Sequence, residues 1–284
     1  MELHPRNRGF QWQDPPGPFG LLTAEQLESW SRDGALVLSE AFDAAEVANV
    51  TAALDPFAAA SEAFLRTRES GRFAIARAGE ISFSPHLVAR SAELRRFSCH
   101  PLLLALVQDL LGPEVRLYWD QAVYKAGTAH DFPWHQDNGY TYVEPQQYLT
   151  CWVALTDVTV DNGCPWILPG AHRLGTLAHR WTELGFCCFD GTPEAERALT
   201  ELLESHGLRG EVTPRPLPLC AGSIAVFSSL MPHRTGPNRT GRVRKSYILQ
   251  YAGDGAVMYP ADTAPHAADN DDWQYPVLRG GKAA

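Results

Sequence analysis

The sequence predicts a mainly β protein with flanking helices, its core an antiparallel double-sheet barrel of jelly-roll type. Two textures predict this. The first third carries helical caps and 3.6-residue apolar stripes. After Gly112 the chain breaks into short β-like runs separated by Gly/Pro/Asn/Asp clusters.

Residues 1–22, rich in Pro, Gly and Gln, read as a loosely ordered arm. Thr23 with Gln26 forms a capping-box pattern, Leu27 and Trp30 follow at helical spacing, and Gly34 stops the helix. Residues 35–38 then make a short strand. Asp43 with Glu46 opens a second helix bearing Val47, Val50 and Leu54 on one face. A third helix is predicted over Pro101–Leu111, with proline in its first turn and Gly112 past its end. The predicted strands are Val115–Lys125, 148–156, 165–168, 223–227 and 245–251. Residues 172–218, with a helix over Pro193–Ser205, interrupt the strands; an excursion of that length in a β domain predicts a lid. The chain shows no repeat, so residues 1–284 read as one domain.

Composition narrows the function classes. Apolar residues make up 45% and charged residues 20%, an ordinary globular balance. A net charge of −9 and the absence of any Lys/Arg run argue against nucleic acid or an anionic membrane as partner. No apolar run is long enough to span a bilayer, and the first twenty residues lack a signal-peptide core. None of the six cysteines forms a CxxC pair, so reduced thiols and a cytoplasmic location are expected. Arginine outnumbers lysine 21 to 3, a bacterial flavour. A small-molecule substrate and a monomer or homodimer complete the expectation.

Chemistry enters with Trp134-His-Gln-Asp137. Residues two apart on a strand share a face, so His135 and Asp137 can both point into a barrel. One more histidine would complete a two-His, one-carboxylate triad, which leaves three adjacent positions open on iron(II). His233 precedes a Gly/Pro/Asn turn and a strand on which Arg242, Arg244, Ser246, Ile248 and Gln250 share one face. A guanidinium there suits the far carboxylate of an iron-bound 2-oxo acid. Both Arg242 and Arg244 are candidates on this ground alone.

The sequence resembles the phytanoyl-CoA dioxygenase (PhyH) family through "WHQD" (134–137), "CWVALTDVTVDNGCPWILPGAHR" (151–173) and "HRTGPNRTGRVRKS" (233–246), in the same order. The resemblance implies a double-stranded β-helix (cupin-like) core, iron(II) and 2-oxoglutarate as cofactor and co-substrate, and O₂ as oxidant. It implies iron ligands at His135, Asp137 and His233, and a co-substrate carboxylate at Arg244. Thr235 and Trp152 would line the same pocket, with Gln121 reaching it from the preceding strand. The related halogenases carry a small residue where Asp137 stands, so the resemblance implies hydroxylation of an unactivated C–H bond, with release of succinate and CO₂. Desaturation, epoxidation, ring formation and a fatty acyl-CoA substrate use the same ligands and stay open. A zinc jelly-roll protein and a silent binding module are the readings from other classes.

The remaining polar residues have plainer readings. His100, His130, His179, His206 and His266 lack a partner at ligand spacing and read as surface or hydrogen-bonding residues. His172 reads as a turn stabiliser, Asp131 as a solvated loop acid, and Asp157 and Asp161 as turn formers. Trp152 could equally be core. Tyr124, Tyr140, Tyr142, Trp134, Arg173, Arg180, Trp181, Phe186 and Phe189 could shape a partly apolar, cationic substrate pocket.

Overall fold

A computed structural model describes residues 1–182, 187–188, 193–207 and 213–284. The fold is a two-sheet antiparallel β barrel with helices packed on one side. The helical front is α1 (Ala24–Asp33), α2 (Ala44–Thr67), α3 (Ala92–Ser98) and α4 (Pro101–Leu111), with β1 (Ala35–Leu38) and β2 (Ile81–Pro85) between them. Then follow β3 (Val115–Lys125), β4 (Phe132–His135), β5 (Leu149–Ala154), β6 (Pro165–Ile167), α5 (Pro193–Ser205) and β7 (Arg215–Pro216). β8 (Ile224–Ser228), β9 (His233–Thr235), β10 (Arg244–Gly253) and β11 (Pro276–Arg279) close the chain. The large sheet runs β1-β8-β5-β10-β3-β2, and the small one β7-β6-β9-β4.

Local chemistry sets the helix ends. Thr23 and Gln26 make the reciprocal capping box, as do Asp43 and Glu46. Gly34 ends α1 at φ 74°, and a Cβ there would lie 2.4 Å from the His172 ring. Glycine is therefore demanded twice, by backbone and by packing. His172, fully buried, fills the space under this turn and meets Trp12 edge-on at 4.4 Å.

Register divides the large sheet into two faces. Directly opposed residues share a face, so Arg244 stands beside Lys125, Ile248 beside Gln121 and Trp152, and Gln250 beside Trp119 and Thr150. This face looks into the barrel, where Trp152, Ala154, Ala225 and Phe227 meet Ile167, Leu217, Leu219 and Met231. The alternate residues, among them Cys151, Val153, Ile224, Val226, Tyr247 and Leu249, form the main core with Leu54, Leu94, Leu103 and Val107 of the helices. Each large side chain buried there contributes about 1.5–3 kcal/mol.

The first 22 residues lie against specific partners. Leu3 bridges Leu177, Asn7 Nδ2 donates to Leu174 O and Thr176 O, and the Asp109 carboxylate accepts from the N–H groups of Gly20, Leu21 and Leu22. At the far end β11 joins the edge of β3. In the expected lid, residues 171–174 form a buried turn, and Leu199 and Leu203 of α5 pack on Trp134 and Leu168. Phe186 and Phe189 lie outside the described residues. Cys99, Cys151, Cys164 and Cys220 are free thiols, and no described helix is long and apolar enough to cross a membrane.

Asp120 ties helices to sheet. Its Oδ2 accepts from the N–H groups of Leu87 and Val88 and from Tyr247 Oη–H, while Oδ1 has no partner. Burial pushes its carboxyl up to about 6, against the hydrogen bonds. A raised carboxyl binds its proton more tightly in the folded state, so its contribution falls as pH rises from about 4 to 6 and is flat above. Asp120→Asn keeps an acceptor at Oδ2 and removes the buried charge. In chemical denaturation it should be more stable than wild type at neutral pH by about 1–3 kcal/mol, with the gap closing below about pH 4.

Candidate metal and co-substrate site

The small sheet brings the histidines together. In the ladder His233 of β9 is the direct partner of His135 of β4, with Ile167 of β6 on its other side. Their rings lie 4.1 Å apart between centroids. β4 ends at His135, so Asp137 is not a strand residue as the alternation predicted; it begins a 3₁₀ turn over Asp137–Gly139. It still reaches the same side because Gln136 keeps an extended backbone (φ −112°, ψ 146°). Asp137 Oδ1 stands 4.0 Å from His135 Nε2 and 3.8 Å from His233 Nε2. One ligating atom from each of the three residues falls within 4.8 Å of the others.

Ring orientation is fixed locally. His135 Nδ1 lies 2.9 Å from Pro133 O, and His233 Nδ1 lies 2.9 Å from Met231 O. A backbone carbonyl takes the Nδ1 proton in each case, which leaves the Nε2 lone pairs facing Asp137. Burial, then the nearby His233, holds His135 well below the usual imidazole range, in the neutral form that ligation needs.

Several supporting residues escaped the sequence reading. Thr150 Oγ1–H donates to Asp137 Oδ2 at 2.5 Å, and Gln250 Nε2 donates to Thr150 Oγ1 at 3.2 Å. The pair occupies one carboxylate oxygen and leaves Oδ1 to the site. Gln136, fully buried, donates to Gly175 O and Leu230 O and accepts from Leu177 N–H. His179 Nε2 accepts from Gln136 N–H at 2.8 Å, which makes it the hydrogen-bonding residue the sequence suggested. A Cβ at Gly139 would lie 2.4 Å from that ring, so the turn carrying Asp137 needs glycine. None of these contacts has a sequence pattern, because each joins separate segments of the chain.

The co-substrate candidates gather on the barrel face. Arg244 is 1% exposed and its guanidinium sits 5.1 Å from the Trp152 ring centroid. Nη1 donates to Gly163 O at 3.1 Å, Nε has no partner among the described residues, and burial lowers the group to about 10. Arg242 stands exposed in the turn before β10, so burial sets the two arginines apart. Trp152 belongs to the core and lies against Arg244, so both sequence readings describe it. Gln121 is half-buried on the same face. Thr235 follows His233 on β9, half-buried opposite Pro165 and Phe132.

Other expected pocket residues are dispersed. Tyr124 turns outward and donates to Asp55 of α2, Tyr142 Oη–H donates to Arg6 O, and Arg173 donates to Ser31 O. Trp134 packs under α5. Tyr140 remains near the triad, 5.5 Å from the His135 ring and 6.0 Å from exposed Trp181. Asp131 pairs with Arg234 at 2.6 Å.

Two imidazoles and one carboxylate on a single side suit a divalent iron with open positions, and a buried arginine whose Nε lacks a partner among the described residues suits a carboxylate co-substrate. Fold, site and a family match place the chain among oxygenases that use iron(II), 2-oxoglutarate and O₂. The family model for phytanoyl-CoA dioxygenase (PhyH) matches residues 30–246, and the chain belongs to that family. An ectoine dioxygenase from Stutzerimonas stutzeri (strain A1501) is 27% identical over 84% of this chain and 80% of its own length. A methylphosphonate hydroxylase from Gimesia maris is 24% identical over 85% of this chain and 86% of its own. A phytanoyl-CoA dioxygenase from Arabidopsis thaliana is 49% identical, but over only 45% of this chain and 41% of that protein. Among solved structures, EctD from S. alaskensis with 2-oxoglutarate and 5-hydroxyectoine has a TM-score of 0.63, 23% identity, and covers 89% of this chain and 87% of that one. The epimerase SnoN in complex with Fe³⁺, alpha ketoglutarate and nogalamycin RO has a TM-score of 0.65, 23% identity, and coverage of 89% and 97%. These structural likenesses show the fold.

The Thr150 contact can be tested directly. Thr150→Val frees Asp137 to rotate and should weaken iron(II) or cobalt(II) binding by about 10–100-fold, the usual effect of removing such a supporting contact. Anaerobic metal titration of the folded variant is the measurement, with Thr150→Ser expected to recover most of the loss.

Proposed function

We propose that His135, Asp137 and His233 hold iron(II), that Arg244 takes the C5 carboxylate of 2-oxoglutarate, and that the enzyme hydroxylates an unactivated C–H bond of a small molecule. The observation that carries this reading is the triad in a barrel whose interior also holds Arg244, buried yet with no ion pair among the described residues. Thr235, Trp152 and Gln121 line the co-substrate pocket. Bound iron and 2-oxoglutarate supply the oxidation, with O₂ consumed and succinate and CO₂ released.

The protein's own work is positioning and exclusion of water. Nδ1 hydrogen bonds hold both imidazoles as Nε2 donors, and Thr150 presents one carboxylate oxygen. Trp152 flanks the guanidinium and keeps its surroundings dry, which strengthens its grip on a carboxylate. Tyr140 and Trp181 stand on the His135 side, where a substrate would meet the metal. Asp137 fills the position that is small in halogenases, which favours hydroxylation over halogenation.

A bacterial metabolite or natural-product intermediate fits best as substrate. The relatives matched along most of their length include an ectoine dioxygenase and a methylphosphonate hydroxylase, whereas the phytanoyl-CoA dioxygenase match spans under half of either chain. The contacts of residues 3–22 with the barrel and of β11 with β3 support one domain over 1–284. We place the enzyme in the cytoplasm, on its free thiols.

His233→Ala should abolish both iron(II) binding and succinate formation, because a facial site short of one ligand cannot hold metal and co-substrate together. Near-normal turnover in that variant would break the triad assignment. Arg244→Leu should raise the KM for 2-oxoglutarate by the equivalent of about 2–5 kcal/mol while leaving iron affinity nearly unchanged. An unaltered 2-oxoglutarate dependence would move the carboxylate elsewhere. Mass spectrometry of products over candidate substrates separates hydroxylation from desaturation, epoxidation and ring closure.

A further inference from the structure

Lys125 is the second cation inside the barrel. It is 1% exposed, it is the direct cross-strand neighbour of Arg244, and neither forms an ion pair among the described residues. Two like charges side by side on one buried face repel each other and lose hydration, a cost that proteins avoid unless an anion belongs there.

The two head groups converge. Arg244 Nη1 donates to Gly163 O at 3.1 Å and Lys125 Nζ to Gly236 O at 2.5 Å. Those glycines touch: a Cβ on Gly163 would lie 2.5 Å from Gly236 O. A purely structural role for the amine is poorly motivated, since the turn is already tied down. Asn238 Nδ2 donates to Lys125 O and Arg242 O at 2.9 and 2.8 Å. The facing charges do not neutralise Lys125 either. Asp131, before β4, pairs with Arg234, and Glu80, before β2, accepts from Thr128.

We propose that Lys125 is a second anchor for the far carboxylate of 2-oxoglutarate, and that co-substrate binding draws a proton onto its amine. This rests on the assignment of Arg244 above. In the co-substrate-free protein, burial first and the Arg244 charge second pull Lys125 down to about 7, with Asp131 and Glu80 opposing weakly. A carboxylate placed beside the amine favours its charged form and raises it again. Below about pH 6 the ammonium is already present and binding needs no proton; above about pH 7 each binding event takes one up. Affinity for 2-oxoglutarate should therefore fall as pH rises, by up to about tenfold per pH unit.

The test is calorimetry of 2-oxoglutarate binding to the nickel(II)-loaded protein, which reads binding without turnover. At about pH 8.5, comparing buffers of different ionisation enthalpy should show close to one proton taken up by wild type, falling toward zero near pH 6. Lys125→Arg should bind with little pH dependence, its guanidinium being always charged. Lys125→Met should bind at least about tenfold more weakly near pH 6.5 and lose the pH dependence. Wild-type binding with no proton uptake, or a Lys125→Met protein that binds like wild type, overturns the inference alone, provided Arg244→Leu abolishes binding. Wild-type protein that binds no 2-oxoglutarate at any pH overturns the Arg244 assignment and this one with it.

Discussion

Everything at the site depends on the pairing of β9 with β4. His135 and His233 are 98 positions apart, yet the ladder makes them direct partners. Each ring is then aimed by a carbonyl two residues back on its own segment, Pro133 O or Met231 O. Relative position thus comes from the sheet and orientation from local backbone, so neither requires a flexible side chain to be held by another. A slip of one residue on β9 would replace His233 by Arg234 at the ladder position and turn the ligand to the other face. Arg234 is held on that other face, over Trp134 and Trp166 and paired with Asp131, which opposes such a slip.

The barrel interior is an expensive place, and the helices underwrite it. Among the described residues Arg244 and Lys125 are buried without counter-ions, and Arg244 Nε has no partner. Such groups destabilise the folded state when no ligand is bound. Stability must come from the opposite face of the same strands, where Tyr247, Leu249, Tyr251, Val153 and Val226 lie against α1 to α4 with little polar interruption. The division is strict because alternate residues of one strand serve the two faces. On β10, Arg244, Ser246, Ile248 and Gln250 face the barrel interior, while Tyr247 and Leu249 hold the strand in place.

Much of this was legible in the sequence, for identifiable reasons. Capping boxes at Thr23 and Asp43 and the Pro101–Leu111 stripe are local signals, and local signals predict helices well. Val115–Lys125 was found whole because turn formers bound a long β-rich run. α3 and β2 were missed: one is seven residues long and the other an outer strand of five, too short for a period to show. The triad could be read from its residue types, but not the break in β4 that puts Asp137 on a turn. Arg244 could be separated from Arg242 only by resemblance; in the fold, burial separates them. Thr150, Gln136 and Lys125 carried no signal, since what matters about each is a partner elsewhere in the chain.

β10 also explains how the Asp137 end and the Arg244 end of the barrel interior stay in step. Arg244 opens the strand and Gln250 lies six residues on, on the same face, where it reaches Thr150 and through it Asp137. One rigid strand therefore carries both the buried arginine and the support of the Asp137 carboxylate. The ladder keeps regular register from Arg244 to Gln250 and shifts only beyond it, between Gln250 and Tyr251. Past the bulge, Tyr251 points its hydroxyl to Ser98 O among the helices. The extra residue at the shift, Tyr118, belongs to β3, while β10 stays in step with β5 through Tyr251. The alternation of β10 is therefore unbroken, which keeps Arg244 and Gln250 on the barrel face and turns Tyr251 to the helices.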